Sequence, residues 1–230
     1  MQENSLSISF VDSLKEYTTD MVSDFVELGL DAVMEDGILK DVPIVSTAVA
    51  LYKIGNSIKE LHNLKKLHIF INEINKHIES QEELEEYKKK FQNNDKFRNQ
   101  EIEYLLVLLD RYISFDKPQM LAKLYLAYLD GVIVWNELLM YAEVVDRFLS
   151  FDFGMLMSAD GKVTVHFNVG GESVLRLVAL GLMTEINENS IFEQTHNGFG
   201  ISAASMERFA SNDKTYKRTE FGEKLVTILK

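Results

Sequence analysis

Val42-Pro43-Ile44-Val45-Ser46-Thr47-Ala48-Val49-Ala50-Leu51-Tyr52 opens the stretch, Lys40 to Ile78, on which the reading of the fold turns. Its apolar residues fall on nearly every face of a helix. Pro43 sits inside the first turn, where its missing N–H does no harm, and Asp41 stands near the N-cap. Further on, Leu61, Leu64, Leu67, Phe70, Ile71, Ile74 and Ile78 recur at helical spacings among lysines and histidines. Gly55-Asn56-Ser57 is the natural joint between the two parts, because glycine costs about 1 kcal/mol in a helix interior. The expectation is a first helix to Ile54, buried on all sides, then an amphipathic helix from Ile58 to Ile78 that buries one stripe. The rest of the N-terminal half should pack against this pair.

On the N-terminal side, Phe10, Leu14, Tyr17, Met21, Val22, Phe25 and Leu28 form a helical stripe. Ser7 or Ser9 is its candidate cap, and Gly37 its end. On the other side, Ser80 and Glu83 have capping-box spacing at the head of a charged helix. Acidic residues Glu82, Glu83, Glu85 and Glu86 come first and Lys88, Lys89 and Lys90 last, which suits the helix dipole. A solvated surface helix is expected there. Three more helices follow: about Asn99 to Ile113, one with Pro118 in its first turn, and one carrying Trp135. The last two are separated only by the turn at Gly131 and should form an antiparallel hairpin.

The chain has 230 residues, 46% hydrophobic, with two prolines and no cysteine. The low proline count favours long helices, and the missing cysteine excludes disulfide and thiol chemistry. The formal net charge is −12, which disfavours duplex DNA and anionic membrane surfaces as bulk electrostatic partners. Residues 151–230 hold 8 Lys/Arg against 10 Asp/Glu, so the acidity belongs mainly to the helical half. Met1-Gln2-Glu3-Asn4-Ser5 has no basic start and no apolar run after it, so no secretory signal is expected. No run reaches the roughly 18 apolar residues of a membrane-spanning helix.

Near Phe151 the pattern changes. Asp160-Gly161 is a turn signal, and Lys162 to Phe167 alternates as a strand does. Glu172 to Leu180 reads as a helix ended by Gly181, and Leu182 to Ile186 as a strand. A polar excursion follows, then Thr215 to Arg218 as a returning strand, and Thr219 caps a last helix from Glu220 to Leu229. This order, with Leu180-Gly181-Leu182 and the Thr219, Gly222, Leu225 spacing, resembles a winged-helix unit over about a third of the chain. The resemblance implies that Arg176 on the helix, and Lys214, Lys217 and Arg218 on the wing, would be the nucleic-acid contacts, diluted here by Glu188, Glu193 and Asp213. The competing implication is a structural or protein-binding winged helix. Asp130-Gly131 with Glu137 looks like half of an EF-hand loop, but Leu126 and Tyr128 stand where oxygen ligands are required, which argues against calcium. The helix–Asp-Gly–helix arrangement also resembles tellurite-resistance-type hairpins, which implies a helical fold.

Motifs for chemistry are few. Gly198-Phe199-Gly200-Ile201-Ser202-Ala203 spells a dinucleotide fingerprint, but a polar loop precedes it rather than a buried strand. His62, His68, His77, His166 and His196 form no metal-ligand spacing; Glu73 and His77 share a helix face, enough for one hydrogen bond. There is no nucleophile elbow and no Walker loop. Tyr52, Tyr104, Tyr125, Tyr128, Tyr141 and Trp135 either cluster in the bundle core or mark an exposed patch.

The expected architecture is mainly α: an N-terminal bundle of about six helices over residues 1–150, then a small winged-helix-like α+β unit over 151–230. No catalytic residue, cofactor or metal is expected. The expected function is a non-enzymatic interaction or regulatory protein of a bacterial or phage cytosol, an origin suggested by Lys/Asn/Ile-rich usage. It would act on a protein partner, a homodimer being one such contact. One alternative is a DNA-binding transcription regulator. The other is a membrane-acting effector of a toxin or anti-phage system, inserting the helix that carries Ile44, Val45, Val49, Leu51 and Tyr52 after leaving the core.

Overall fold

The structure, a computed structural model, describes residues 6–14, 43–52, 58–92, 95–158, 162–165, 171–186 and 214–230. These residues hold ten helices and one three-stranded antiparallel sheet, so the fold is mainly α with a small α+β part. The chain divides into two compact units, 1–146 and 147–230.

In the first unit α1 is Leu6–Asp12, α2 Pro43–Tyr52, α3 Ile58–His77, α4 Gln81–Gln92, α5 Asp95–Arg111, α6 Lys117–Leu129 and α7 Trp135–Arg147. The two helices expected in series are present as α2 and α3. Helix α3 is the organising element: it packs along α6 and also against α5 and α2, while α1 lies against α2, α4 and α5. Phe70 of α3 meets Phe10 of α1 and Tyr125 of α6 at ring-centroid distances of 6.4 and 6.1 Å. All three rings are buried.

The structure corrects the reading of α3. Instead of burying one stripe, it is buried all round from Leu64 to Ile74, with Lys65, Lys66, His68, Asn72 and Glu73 inside. The lysines find partners there. Lys66 Nζ donates to the carbonyls of Tyr112 at 2.7 Å and Asp110 at 3.2 Å, at the end of α5. Lys65 Nζ stands 4.7 Å from the centre of the Phe115 ring. Buried amines are tolerated only with such partners.

Ser7 and Ser9 are not caps. Both lie inside α1, and Ser9 Oγ is 2.6 Å from Thr47 Oγ1 of α2. Nor is α4 solvated all round, since Leu84 and Tyr87 are buried and Lys90 Nζ donates to Leu129 O at 2.9 Å. Ser80 does cap α4: its Oγ accepts from Glu83 N at 3.1 Å, and Glu83 reaches back to Glu79 N at 2.8 Å. Lys117 at the head of α6 donates to Asp146 O near the end of α7 at 2.7 Å, so these two helices run antiparallel as expected. Gly131, at φ +74°, makes the turn between them.

In the second unit α8 is Ser150–Ser158, β1 Lys162–Val165, α9 Gly171–Ala179, β2 Met183–Glu185, β3 Lys214–Arg218 and α10 Glu220–Leu229. Helix α8 is not expected from the sequence, where the helical pattern is taken to change near Phe151. Asp152 is instead the third residue of that helix and reaches back to accept from Leu149 N at 3.0 Å. The sheet order is β1-β3-β2, both pairs antiparallel. Val163 opposes Tyr216, and Lys162 opposes Lys217. Ile186 N donates to Thr215 O at 2.7 Å, extending the β2–β3 stem just before residue 187.

Thr219 ties α10 to the preceding turn. Its Oγ1 accepts from Gly222 N at 3.0 Å and donates to Gly181 O at 2.6 Å. A Cβ on Gly222 would lie 2.2 Å from Leu182 O, so only glycine lets α10 approach that backbone. The Tyr17–Leu28 stripe, the Gly55 joint, the Gly198–Ala203 fingerprint, His166 and His196 lie outside the described residues.

Candidate functional site

Helices α5 and α7 meet at two places in the same order along each helix, so they run in one direction. The alignment is fixed at one end by Tyr104 and Trp135, whose rings meet edge-on at 6.2 Å. At the other end Arg111 reaches Glu143 at 2.8 Å and Asp146 at 2.7 Å. Between them, Val107 stands one turn after Tyr104, and Leu139 one turn after Trp135. Tyr104 is 48% exposed and Val107 58%. Val132 and Val134, on the turn leading into α7, are exposed as well. Single exposed apolar residues are ordinary, but an adjoining set along a helix pair is not.

The seam is built outward from the core. Trp135 rests on Tyr128 at 5.3 Å, Tyr128 on Tyr125 at 6.0 Å, and Tyr125 on Phe10 at 6.1 Å. The aromatic residues thus form both a core cluster and an exposed patch, joined by ring contacts. The Tyr128 hydroxyl donates to the buried Glu101 carboxylate, which Arg98 also binds at 2.5 Å. Burial, then the bond to Glu101, raises the Tyr128 phenol above its ordinary pKa. It stays a neutral donor, and the floor of the seam is held in place. The rim is acidic. Glu103 is exposed, and the one guanidinium of Arg111 is shared between the Glu143 and Asp146 carboxylates.

The residues singled out from sequence are distributed differently. Ile44 and Val45 are fully buried. Ser13 Oγ accepts from Ile44 N at 2.9 Å and donates to Ser9 O at 2.8 Å, which ties α2 to α1. Val49, Leu51 and Tyr52 belong to α2, with side chains outside the description.

Among the basic residues, Arg176 makes a two-pronged pair with the buried Asp152, each bond 2.8 Å. Lys214 pairs with Glu185 at 3.0 Å. Arg218 binds Glu223 at 2.8 Å and Leu156 O at 3.0 Å. Lys217 is exposed on β3 between Lys162 and Thr184. The structure therefore does not bring the four together as one open basic surface.

His62 Nε2 lies 2.9 Å from Ile113 O, and His77 Nδ1 lies 2.8 Å from Glu73 O, a backbone rather than a carboxylate partner. Among the described residues no three His, Asp or Glu side chains are placed to hold a metal. No described helix is long and apolar enough to cross a membrane. No known protein family, curated protein or solved structure matches the chain.

Sequence reasoning finds Tyr104 and Trp135 as aromatics but not the seam. Its two sides lie on separate helices, and Val107 looks like one more apolar residue of a Leu-rich run.

Proposed function

We propose that the chain is a non-enzymatic interaction or regulatory protein, acting in the cytosol by protein–protein contact. The observation that carries this reading is the exposed pair Tyr104 and Val107 beside the half-buried Trp135 on an acidic helical unit. Aromatic anchors held rigidly at a surface are what protein interfaces use. Three of the four candidate nucleic-acid contacts, Arg176, Lys214 and Arg218, are engaged by acids of the second unit, which weighs against the DNA-binding alternative. Affinity capture from host lysate tests the proposal. A partner bound by the wild-type chain and lost with Tyr104→Ser/Val107→Ser supports it; the same proteins captured by both would refute it.

The winged-helix regulator is the second reading. It is favoured by the β1-β3-β2 order and by α10 docked through Thr219 and Gly222. A low-salt gel shift that Lys217→Ala removes would revive it.

A further inference from the structure

We propose that Tyr128, with Glu101 as its proton acceptor, is a one-electron oxidation site fed from the surface through Trp135. Trp135 of α7 is half-buried, and Tyr128 of α6 lies against it at a ring-centroid distance of 5.3 Å. Electron tunnelling falls steeply with distance, and these two rings are immediate neighbours. The Tyr128 hydroxyl donates to Oε1 of Glu101 in α5, a residue only 2% exposed. The other carboxylate oxygen, Oε2, is held by Arg98 at 2.5 Å.

Removing an electron from a phenol turns its hydroxyl into a strong acid. Without an acceptor the product would be an unpaired charge in a partly buried site, which is costly. A carboxylate already in hydrogen-bond contact takes the proton as the electron leaves. The step balances. A small oxidising radical of the peroxyl class takes one electron from the Trp135 indole and, with a proton from water, becomes a hydroperoxide. The Trp135 cation radical takes one electron from Tyr128. The Tyr128 O–H bond breaks and its proton goes to Glu101 Oε1, leaving a neutral tyrosyl radical beside a neutral carboxyl group. A small reductant such as ascorbate returns the electron, and the proton goes back to the phenol. Arg98 also donates to Lys90 O at 3.3 Å, so the guanidinium stays placed while Glu101 is neutral.

Two other phenols are near. Tyr104 meets Trp135 at 6.2 Å, but it is 48% exposed to water, a far weaker base than a carboxylate. Tyr125 meets Tyr128 at 6.0 Å and lies beyond it in the chain of ring contacts. The Glu101 carboxylate therefore selects Tyr128. An oxidant striking the surface indole is quenched reversibly on a phenol, and the indole is spared.

Trp135 is the single tryptophan of the chain, so azide radical, generated by pulse radiolysis and selective for indoles, marks the entry point. In the full chain the tryptophanyl absorption should decay as tyrosyl absorption grows, at a rate independent of protein concentration. Tyr128→Phe should slow this transfer about tenfold or more, and Glu101→Gln, which keeps an acceptor but not a base, should slow it comparably. Tyr104→Phe should leave the rate unchanged. Heavy water should slow the wild-type transfer, which tests the proton's part even where Glu101→Gln fails to fold. Transfer that survives Tyr128→Phe but is lost in Tyr104→Phe or Tyr125→Phe would put the radical elsewhere and overturn the proposal. So would a rate that rises with protein concentration, a tryptophanyl radical that never passes to tyrosine, or a rate unmoved by both Glu101→Gln and heavy water.

Discussion

In the unit spanning 1–146, three helix ends are finished by lysines from other helices; in 147–230, the helix ends are finished mostly by residues a few positions away. Lys66 of α3 closes α5, Lys90 of α4 closes α6, and Lys117 of α6 closes α7, each giving its ammonium to a late carbonyl. In the second unit Gly181, at φ +74°, closes α9, with Leu182 N returning to Leu177 O at 2.9 Å. Asp152 starts α8 and Thr219 starts α10. The first arrangement makes each helix end depend on a neighbour already being in place, which ties the bundle's helices together. The second lets each helix begin or end on its own.

The buried charges differ as well. Burial lowers Lys66 to about 8, with the Asp110 charge opposing, because carbonyl partners do not require a charged amine. Burial would raise the Asp152 carboxyl, but the bonds from Arg176, Leu149 N and Ser173 outweigh it and hold the pKa below the ordinary carboxylate value.

The largest effect should come from Gly222→Ala. Its methyl would overlap Leu182 O, with a cost of about 3 kcal/mol or more. Hydrogen exchange should show the amides of 214–218 losing protection while those of α3 keep theirs; unchanged β3 protection would contradict the close approach. Asp152→Ala should cost roughly 2–3 kcal/mol in urea unfolding at neutral pH. Because the folded pKa is depressed, the wild-type advantage is present above about pH 4 and shrinks as pH falls through the folded pKa. A gap independent of pH would mean that Asp152 acts by packing alone.

His68 provides the contrast. Burial lowers its imidazole to about 4, so the unfolded chain takes up the proton first. Stability is present above about pH 6.5 and should fall by roughly 2 kcal/mol as pH drops toward 4. The Trp135 emission should follow this loss, and His68→Leu should flatten it. The first unit would then loosen in acid before the Asp152 contribution is lost, and the reverse order would contradict the assignment. Lys66→Met, which leaves two α5 carbonyls without their donor, should cost roughly 1–2 kcal/mol near neutral pH. That gap should widen between about pH 8 and 10, where the folded wild-type chain sheds a proton the unfolded chain keeps. The smallest effect is Ser80→Ala, about 1 kcal/mol for a lost cap, read by thermal melting.

What the sequence discloses follows the same division. Ser80, Gly131, Gly181 and the Thr219-Gly222-Leu225 spacing act on backbone close by in the chain, and each is legible from its immediate neighbours alone. So is the strand at 162–165, from its alternation. Lys65, Lys66 and His68 mislead, because polar residues on a helical stripe look solvent-facing until a second helix supplies carbonyls or rings. Asp152 gives no hint of α8 because its Arg176 partner lies on another helix. Of the candidate site, Tyr104 and Trp135 are visible as residue types, but their adjacency is tertiary.

The β2–β3 stem has one further consequence. Met183 opposes Arg218, Glu185 opposes Tyr216, and Ile186 N is bonded to Thr215 O, so the strands flanking residues 187–213 are already held together. The pairing register is therefore carried by residues 183–186 and 214–218 themselves, and their amides should gain and lose hydrogen-exchange protection together.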